Sequence, residues 1–175
     1  MAEAYIQRGN VYEELNQYER AISDYTQAIE INPQLAEAYI QRGNVYKELN
    51  QYKQAIADYT KAIELNPQLA YAYYNLGVAY KELSHYEQAI ANFNRAIELN
   101  PQLVLAYIGR GVAYKELNQY ERAISDYSLA IELNPQDALA YYSRGRAHYE
   151  LNQYERAREK LLTKVDSRPT EALST

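Results

Sequence analysis

The chain has 175 residues, 47% of them hydrophobic and 23% charged, the proportions of a folded protein rather than a disordered one. A formal charge of −5 leaves no basic face to meet phosphates, which argues against nucleic acid as a partner. The absence of Cys excludes disulfides, thiol nucleophiles and thiolate metal sites. No stretch has the length of a membrane span or the pattern of a signal peptide, so no membrane partner is expected and the cytoplasm is the expected compartment.

The predicted elements recur along the chain. Cutting it every 34 residues gives units 2–35, 36–69, 70–103, 104–137 and 138–171, a single array over 1–171 followed by a tail at 172–175. Within a unit, position four is always Tyr: Tyr5, Tyr39, Tyr73, Tyr107 and Tyr141. Position eight is always Gly: Gly9, Gly43, Gly77, Gly111 and Gly145. Position eleven is Tyr12, Tyr46, Tyr80 and Tyr114, then His148. Tyr fills position seventeen throughout, Ala position twenty and Pro position thirty-two. Position twenty-four is Tyr25, Tyr59, Phe93, Tyr127 and Leu161.

Each unit reads as two helices. The first covers positions one to about fourteen and the second about eighteen to thirty-one, since apolar residues there recur at intervals of three and four. Asn-Gln at Asn16-Gln17, Asn50-Gln51, Asn118-Gln119 and Asn152-Gln153 is the predicted turn between them, because Asn tolerates the left-handed conformation that ends a helix. Asn-Pro ends the second helix, the residue before Pro being pushed out of the helical region. Gly at position eight lies on the packing stripe of the first helix. It costs about 1 kcal/mol relative to Ala, so it predicts a close helix–helix approach that returns more. Arg8, Arg42 and Arg110 accompany Asp24, Asp58 and Asp126 sixteen residues on, whereas unit three has Leu76 and Asn92, and unit five has Arg144 and Lys160. An Arg–Asp pair joining the two helices of units one, two and four is expected.

The pattern resembles the tetratricopeptide repeat (TPR) family. Its W-x2-L-G-x2-Y, A-x3-F and P signature stands here as Y-x2-R-G-x2-Y, A-x3-Y and P. The resemblance covers nearly the whole chain and implies an all-α, right-handed superhelical solenoid of five helix-turn-helix repeats. It also implies a non-enzymatic protein-interaction module whose first helices line a concave groove for a partner's peptide or helix.

Of 21 Tyr, seventeen occupy the repeating positions four, eleven, seventeen and twenty-four, where core packing accounts for them. Tyr71, Tyr74, Tyr142 and Tyr149 do not; at 100° per residue they fall on the opposite side of the first helix. Carried onto this chain, the family's ligand-facing positions give a two-part groove. Units one and two present Asn10 and Asn44, with Glu3, Glu13, Glu37 and Lys47. Units three to five present Tyr71, Tyr74, Val78, Leu105, Ile108, Val112, Leu139, Tyr142 and Tyr149, edged by Lys81, Lys115 and Arg146. Tyr suits such a wall, offering contact area and a polar tip at small entropic cost. Position five, Ile or Tyr in every unit, has an alternative use in packing adjacent first helices together. Chaperone-tail-binding relatives hold a carboxylate with an Asn pair that Asn10 and Asn44 match. Their basic partners are missing, with Ile6, Tyr74 and Val78 in those places, and a carboxylate without cations is unfavourable.

Nothing in the sequence suggests catalysis or a cofactor. His85 lies in a turn and His148 at a packing position, without metal-ligand spacing, so no metal is expected. The Glu repeated at position thirteen marks a solvated rim. Arg158, Lys164 and Ser167 replace apolar residues in unit five, which predicts a capping unit. No capping segment precedes Ala2, so the chain is expected to be cut from a longer protein. Its uncovered first unit, or the apolar half of the groove, supports an alternative role in self-association.

Overall fold

A computed structural model describes residues 1–166. Eight helices form four hairpins: α1 (Ala2–Glu14) with α2 (Tyr18–Ile31), α3 (Ala36–Glu48) with α4 (Tyr52–Leu65), α5 (Ala70–Glu82) with α6 (Tyr86–Leu99), and α7 (Val104–Glu116) with α8 (Tyr120–Leu133). A ninth, α9, runs unbroken over Ala138–Asp166. There is no strand among the described residues, and the all-α solenoid is as the sequence leads one to expect.

The turns follow from Asn chemistry. Asn16, Asn50 and Asn118 have φ of 56°, 58° and 57°, and Ser84 takes the same conformation at 60°. The amide of the following residue donates back to the carbonyl of Tyr12, Tyr46, Tyr80 or Tyr114 at 2.8–2.9 Å, closing a Schellman motif. The next Tyr clasps the turn residue: Tyr18, Tyr52 and Tyr120 hydroxyls donate to Asn16, Asn50 and Asn118 Oδ1 at 2.9, 2.6 and 2.7 Å.

Inside each hairpin the glycine approach is as close as its position suggests. A Cβ on Gly9, Gly43 or Gly111 would lie 2.6–2.8 Å from the ring of Tyr25, Tyr59 or Tyr127, and one on Gly77 would meet Phe93. The four rings are fully buried. Arg8, Arg42 and Arg110 each grip Asp24, Asp58 or Asp126 through two hydrogen bonds of 2.6–2.8 Å. Burial opposes the charge on Arg110, and the bond to Asp126 and its charge outweigh it, so its pKa rises.

The core lies between units. One apolar cluster joins Ala21, Tyr25 and Ala28 to Ala38 and Val45 of the next unit; others join Tyr59 to Leu76 and Ala79, Phe93 to Ala106 and Ala113, and Tyr127 to Ala140 and Ala147. No hairpin buries its faces alone, so stacking is what stabilises each one. Consecutive first helices touch one another, whereas among the described residues no second helix touches the next. The array therefore curves with its first helices on the inner side.

Unit five departs from the hairpin pattern. Asn152-Gln153 lies within α9 and does not turn. A Cβ on Gly145 would have nothing within 4 Å, and Tyr141, His148 and Tyr154 are exposed. The turn in units one, two and four is held by a ring on the glycine and an Asp under the Arg. Unit five offers Leu161 and Lys160 instead, so folding back would oppose Lys160 to Arg144. With those contacts gone, continuing the helix adds backbone hydrogen bonds at little cost. The fold class stands; the fifth helix-turn-helix does not close. The side chain of Lys164, together with Ser167, Pro169 and the tail at 172–175, lies outside the described residues.

Candidate functional site: the inner wall of the first helices

The predicted groove residues divide by position. Position two is open throughout: Tyr71 is 60% exposed, Leu105 48% and Leu139 58%. Tyr142 and Tyr149, from α9, are 64% and 66% exposed. These five form the accessible apolar set.

Position five does something else. Ile108 is buried in the cluster between units four and five, and Ile6 is buried likewise. Tyr74 is half-buried, its ring tilted against Phe93 with centroids 6.0 Å apart. Ile108 and Tyr74 therefore serve packing between neighbouring first helices. Tyr142 stays exposed, since no helix among the described residues packs over α9 on that side. Val78 and Val112 are half-buried against the same clusters.

The Asn pair is also partly committed. Tyr25 Oη lies 2.8 Å from both Asn10 Oδ1 and Glu13 Oε2, and donates its one proton to either. Tyr59 Oη donates to Asn44 Oδ1 at 2.9 Å, which also accepts from Asn75 Nδ2 at 3.1 Å. Asn at position nine thus satisfies the hydroxyl of a buried Tyr at position twenty-four. Unit three has Val78 under Phe93, apolar on apolar. Unit four has Val112 under Tyr127, and the Tyr127 hydroxyl, though buried, has no hydrogen-bond partner. Burial, and beyond it the charges of Asp126, Glu116 and Glu150, hold that hydroxyl protonated well above the usual tyrosine range.

The edging cations are paired. Lys115 bonds Glu116 at 2.6 Å, Arg146 bonds Glu150 at 2.6 Å, and Lys81 meets Glu82. A cleft of about 520 Å³ at the other end of the wall is lined by Asn10, Glu13, Glu14, Asn16, Tyr18, Gln41 and Glu48. That end is polar and acidic; the end near α9 is aromatic.

Two couplings escaped the sequence reading. Arg42 Nη1 donates to Thr26 of the preceding unit at 3.0 Å, Arg110 Nη1 to Asn94 at 2.6 Å and Arg144 Nη1 to Ser128 at 3.3 Å. The signal was present, since position twenty-five is a small acceptor in units one to four: Thr26, Thr60, Asn94 and Ser128. Gly109, the one Gly outside the repeating position, would as a Cβ lie 2.7 Å from the Phe93 ring, so that ring is approached closely by glycines of two units, Gly77 and Gly109. No group of His, Asp and Glu suited to a metal occurs among the described residues, and no described helix is long and apolar enough to cross a membrane.

Family models described as tetratricopeptide repeat match residues 2–35 and 70–103, and 24–57 and 92–125; a TPR repeat model matches 43–84 and 113–152. The chain belongs to the tetratricopeptide repeat family. Together the matches run without a gap from residue 2 to residue 152, ending where α9 fails to turn. Among solved structures it is similar to a MamA protein, with 25% identity over 99% of this chain and 97% of that one, at a TM-score of 0.81. It is similar to YrrB, described as a TPR protein with an unusual peptide-binding site, with 29% identity over 98% and 88% and a TM-score of 0.76. The first TPR of Spaghetti (RPAP3), bound to the HSP90 peptide SRMEEVD, shares 30% identity over 68% and 94% at a TM-score of 0.66. Among curated proteins, none matches the chain.

Proposed function

We propose that this TPR chain is a non-enzymatic protein-interaction module that takes a partner's peptide or helix along the inner wall of its first helices. The observation that carries this reading is the accessible apolar set of Tyr71, Leu105, Leu139, Tyr142 and Tyr149, which repeat-to-repeat packing leaves uncovered. Exposed aromatic and aliphatic side chains on one wall serve as anchors for a ligand. The peptide bound by the RPAP3 domain and the peptide-binding site of YrrB support the same use of the scaffold. Asn10 and Asn44 would contribute from the polar end through side-chain N–H groups, since their Oδ1 atoms already accept from Tyr25 and Tyr59 and one Asn44 N–H donates to Gln41. The cytoplasm remains the compartment proposed for it.

Selection of a displayed random-peptide library on the chain tests this. Changing Tyr71 and Leu105 together to Ser should weaken the selected peptides tenfold or more, while stability moves by less than about 1 kcal/mol, as for exposed sites. Unchanged peptide affinity sinks the reading. Tyr74 is unsuitable for this test because its ring is part of the packing.

Self-association is the second reading, and the exposed face of α9 favours it: Tyr141, Gly145 and His148 lie where a second helix packs in the other units, and Tyr154 further along α9 is exposed as well. At the other end Arg8 is 58% exposed against 17% for Arg42, beside a hollow lined by Met1, Ala4 and Tyr5. Light scattering over a concentration series separates the two: a constant monomer mass removes this reading.

A further inference from the structure

A pocket of about 160 Å³ opens between units four and five, lined by Val112, Lys115, Tyr127, Tyr142, Ser143 and Arg146. Tyr127 is part of that lining, and its hydroxyl is fully buried and without a partner; neither Ser143 nor any other lining group closes a hydrogen bond to it. A buried donor left unmade is costly, and the other hairpins avoid that cost. Asn accepts from Tyr in units one and two, and Phe replaces Tyr over Val in unit three. Only unit four combines Val at position nine with Tyr at position twenty-four.

The rest of the lining says what kind of acceptor fits. Lys115 and Arg146 each commit part of their donor capacity to Glu116 and Glu150 and keep further N–H groups free. Those two Glu act on the Tyr127 hydroxyl from behind the pocket wall but do not line it, and the charged side chains that do are Lys115 and Arg146. Tyr142 and Arg146 are exposed, so they are the part of the lining whose side chains are free to rotate. A neutral carbonyl would satisfy the hydroxyl alone; a carboxylate also uses the two cations.

Resting on the groove reading, we propose that this pocket takes a carboxylate of the bound peptide, accepting from Tyr127 Oη and meeting Lys115 and Arg146 at the rim. The site is at the opposite end of the array from Asn10 and Asn44. The carboxylate belongs to either an acidic side chain or a chain terminus, and the two give different probes.

The test titrates the full chain with N-acetyl-glutamic acid α-amide, N-acetyl-leucine and N-acetyl-glutamine amide, following the Val112, Ser143 and Arg146 amides by NMR. Saturable shifts are expected with the first if the side-chain source is right, or with the second if the terminus is. The neutral amide should give none at equal concentration. Tyr127→Phe, which copies Phe93 of unit three and so preserves the fold, should weaken binding about tenfold, the loss of a hydrogen bond to a charged group. Val112→Asn should weaken it similarly by giving Tyr127 an internal acceptor. No saturable shift with either carboxylate, equal binding of the neutral amide, or indifference to Tyr127→Phe overturns the proposal. Library-selected peptides that depend on Tyr71 and Leu105 but not on Tyr127 would remove this pocket and leave the groove standing.

Discussion

At the residue scale, the same side chain has different value in different units. The Tyr25 and Tyr59 hydroxyls have acceptors; that of Tyr127 has none. Tyr25→Phe and Tyr59→Phe should each cost about 1 kcal/mol, the net contribution of a hydrogen bond. Tyr127→Phe should cost nothing or stabilise, as urea denaturation of the three variants would show. The Arg–Asp pairs give a second test. Asp58 is buried and Arg42 mostly shielded, so removing either alone should cost about 3 kcal/mol by stranding the other charge. Removing both should cost less than the sum, and a double-mutant cycle without coupling would contradict the geometry. The pairing was legible in the sequence because Arg and Asp vanish together in unit three. The orphan hydroxyl was not: its meaning depends on what stands opposite, fifteen residues earlier, and only contact geometry links positions nine and twenty-four.

At the scale of the element, glycine distinguishes a closed hairpin from an open one. Gly43→Ala drives a Cβ to 2.8 Å from the Tyr59 ring and should cost about 1–3 kcal/mol through overpacking. Gly145→Ala meets nothing within 4 Å and should gain about 1 kcal/mol from helix propensity. A loss at Gly145 matching that at Gly43 would mean that the second half of α9 folds back. The eight hairpin helices and their turns were readable from period and turn chemistry. The continuity of α9 was not, since Asn152-Gln153 spells the same turn as the other units. A Schellman turn is locally permitted in every unit; it forms where the second helix has a ring to deliver onto the glycine, joined by an Asp for the Arg in units one, two and four.

At the scale of the molecule, the core is a chain of clusters between stacked units, each centred on one buried ring. This has a consequence at alkaline pH. Burial raises the pKa of Tyr25, Tyr59 and Tyr127 above that of an unfolded tyrosine, which is about 10. Below that value both states hold the proton and stability is unaffected. As pH rises above it, the unfolded chain releases protons that the folded one keeps, so stability falls by about 1.4 kcal/mol per pH unit for each ring. Cooperative unfolding monitored by circular dichroism above pH 10 should steepen accordingly, and each Tyr→Phe change at these positions should flatten it. The inner wall belongs to this scale too. Tyr71, Leu105, Leu139, Tyr142 and Tyr149 were placed on it by helical periodicity, and they are open. Ile108 and Tyr74 share their side of the helix and are taken up by the next unit.

The sequence alone determined the repeat, the two helices per unit, the close approach at glycine and the Arg–Asp pairs, because each depends on spacing within one unit. Stacking decided which groove residues stay accessible, because a periodic pattern carries the same letters whether a neighbouring unit covers them or leaves them bare. Whether the last hairpin closes and which buried hydroxyl lacks an acceptor depend on contacts between the two helices of one unit, which only the tertiary structure brings together.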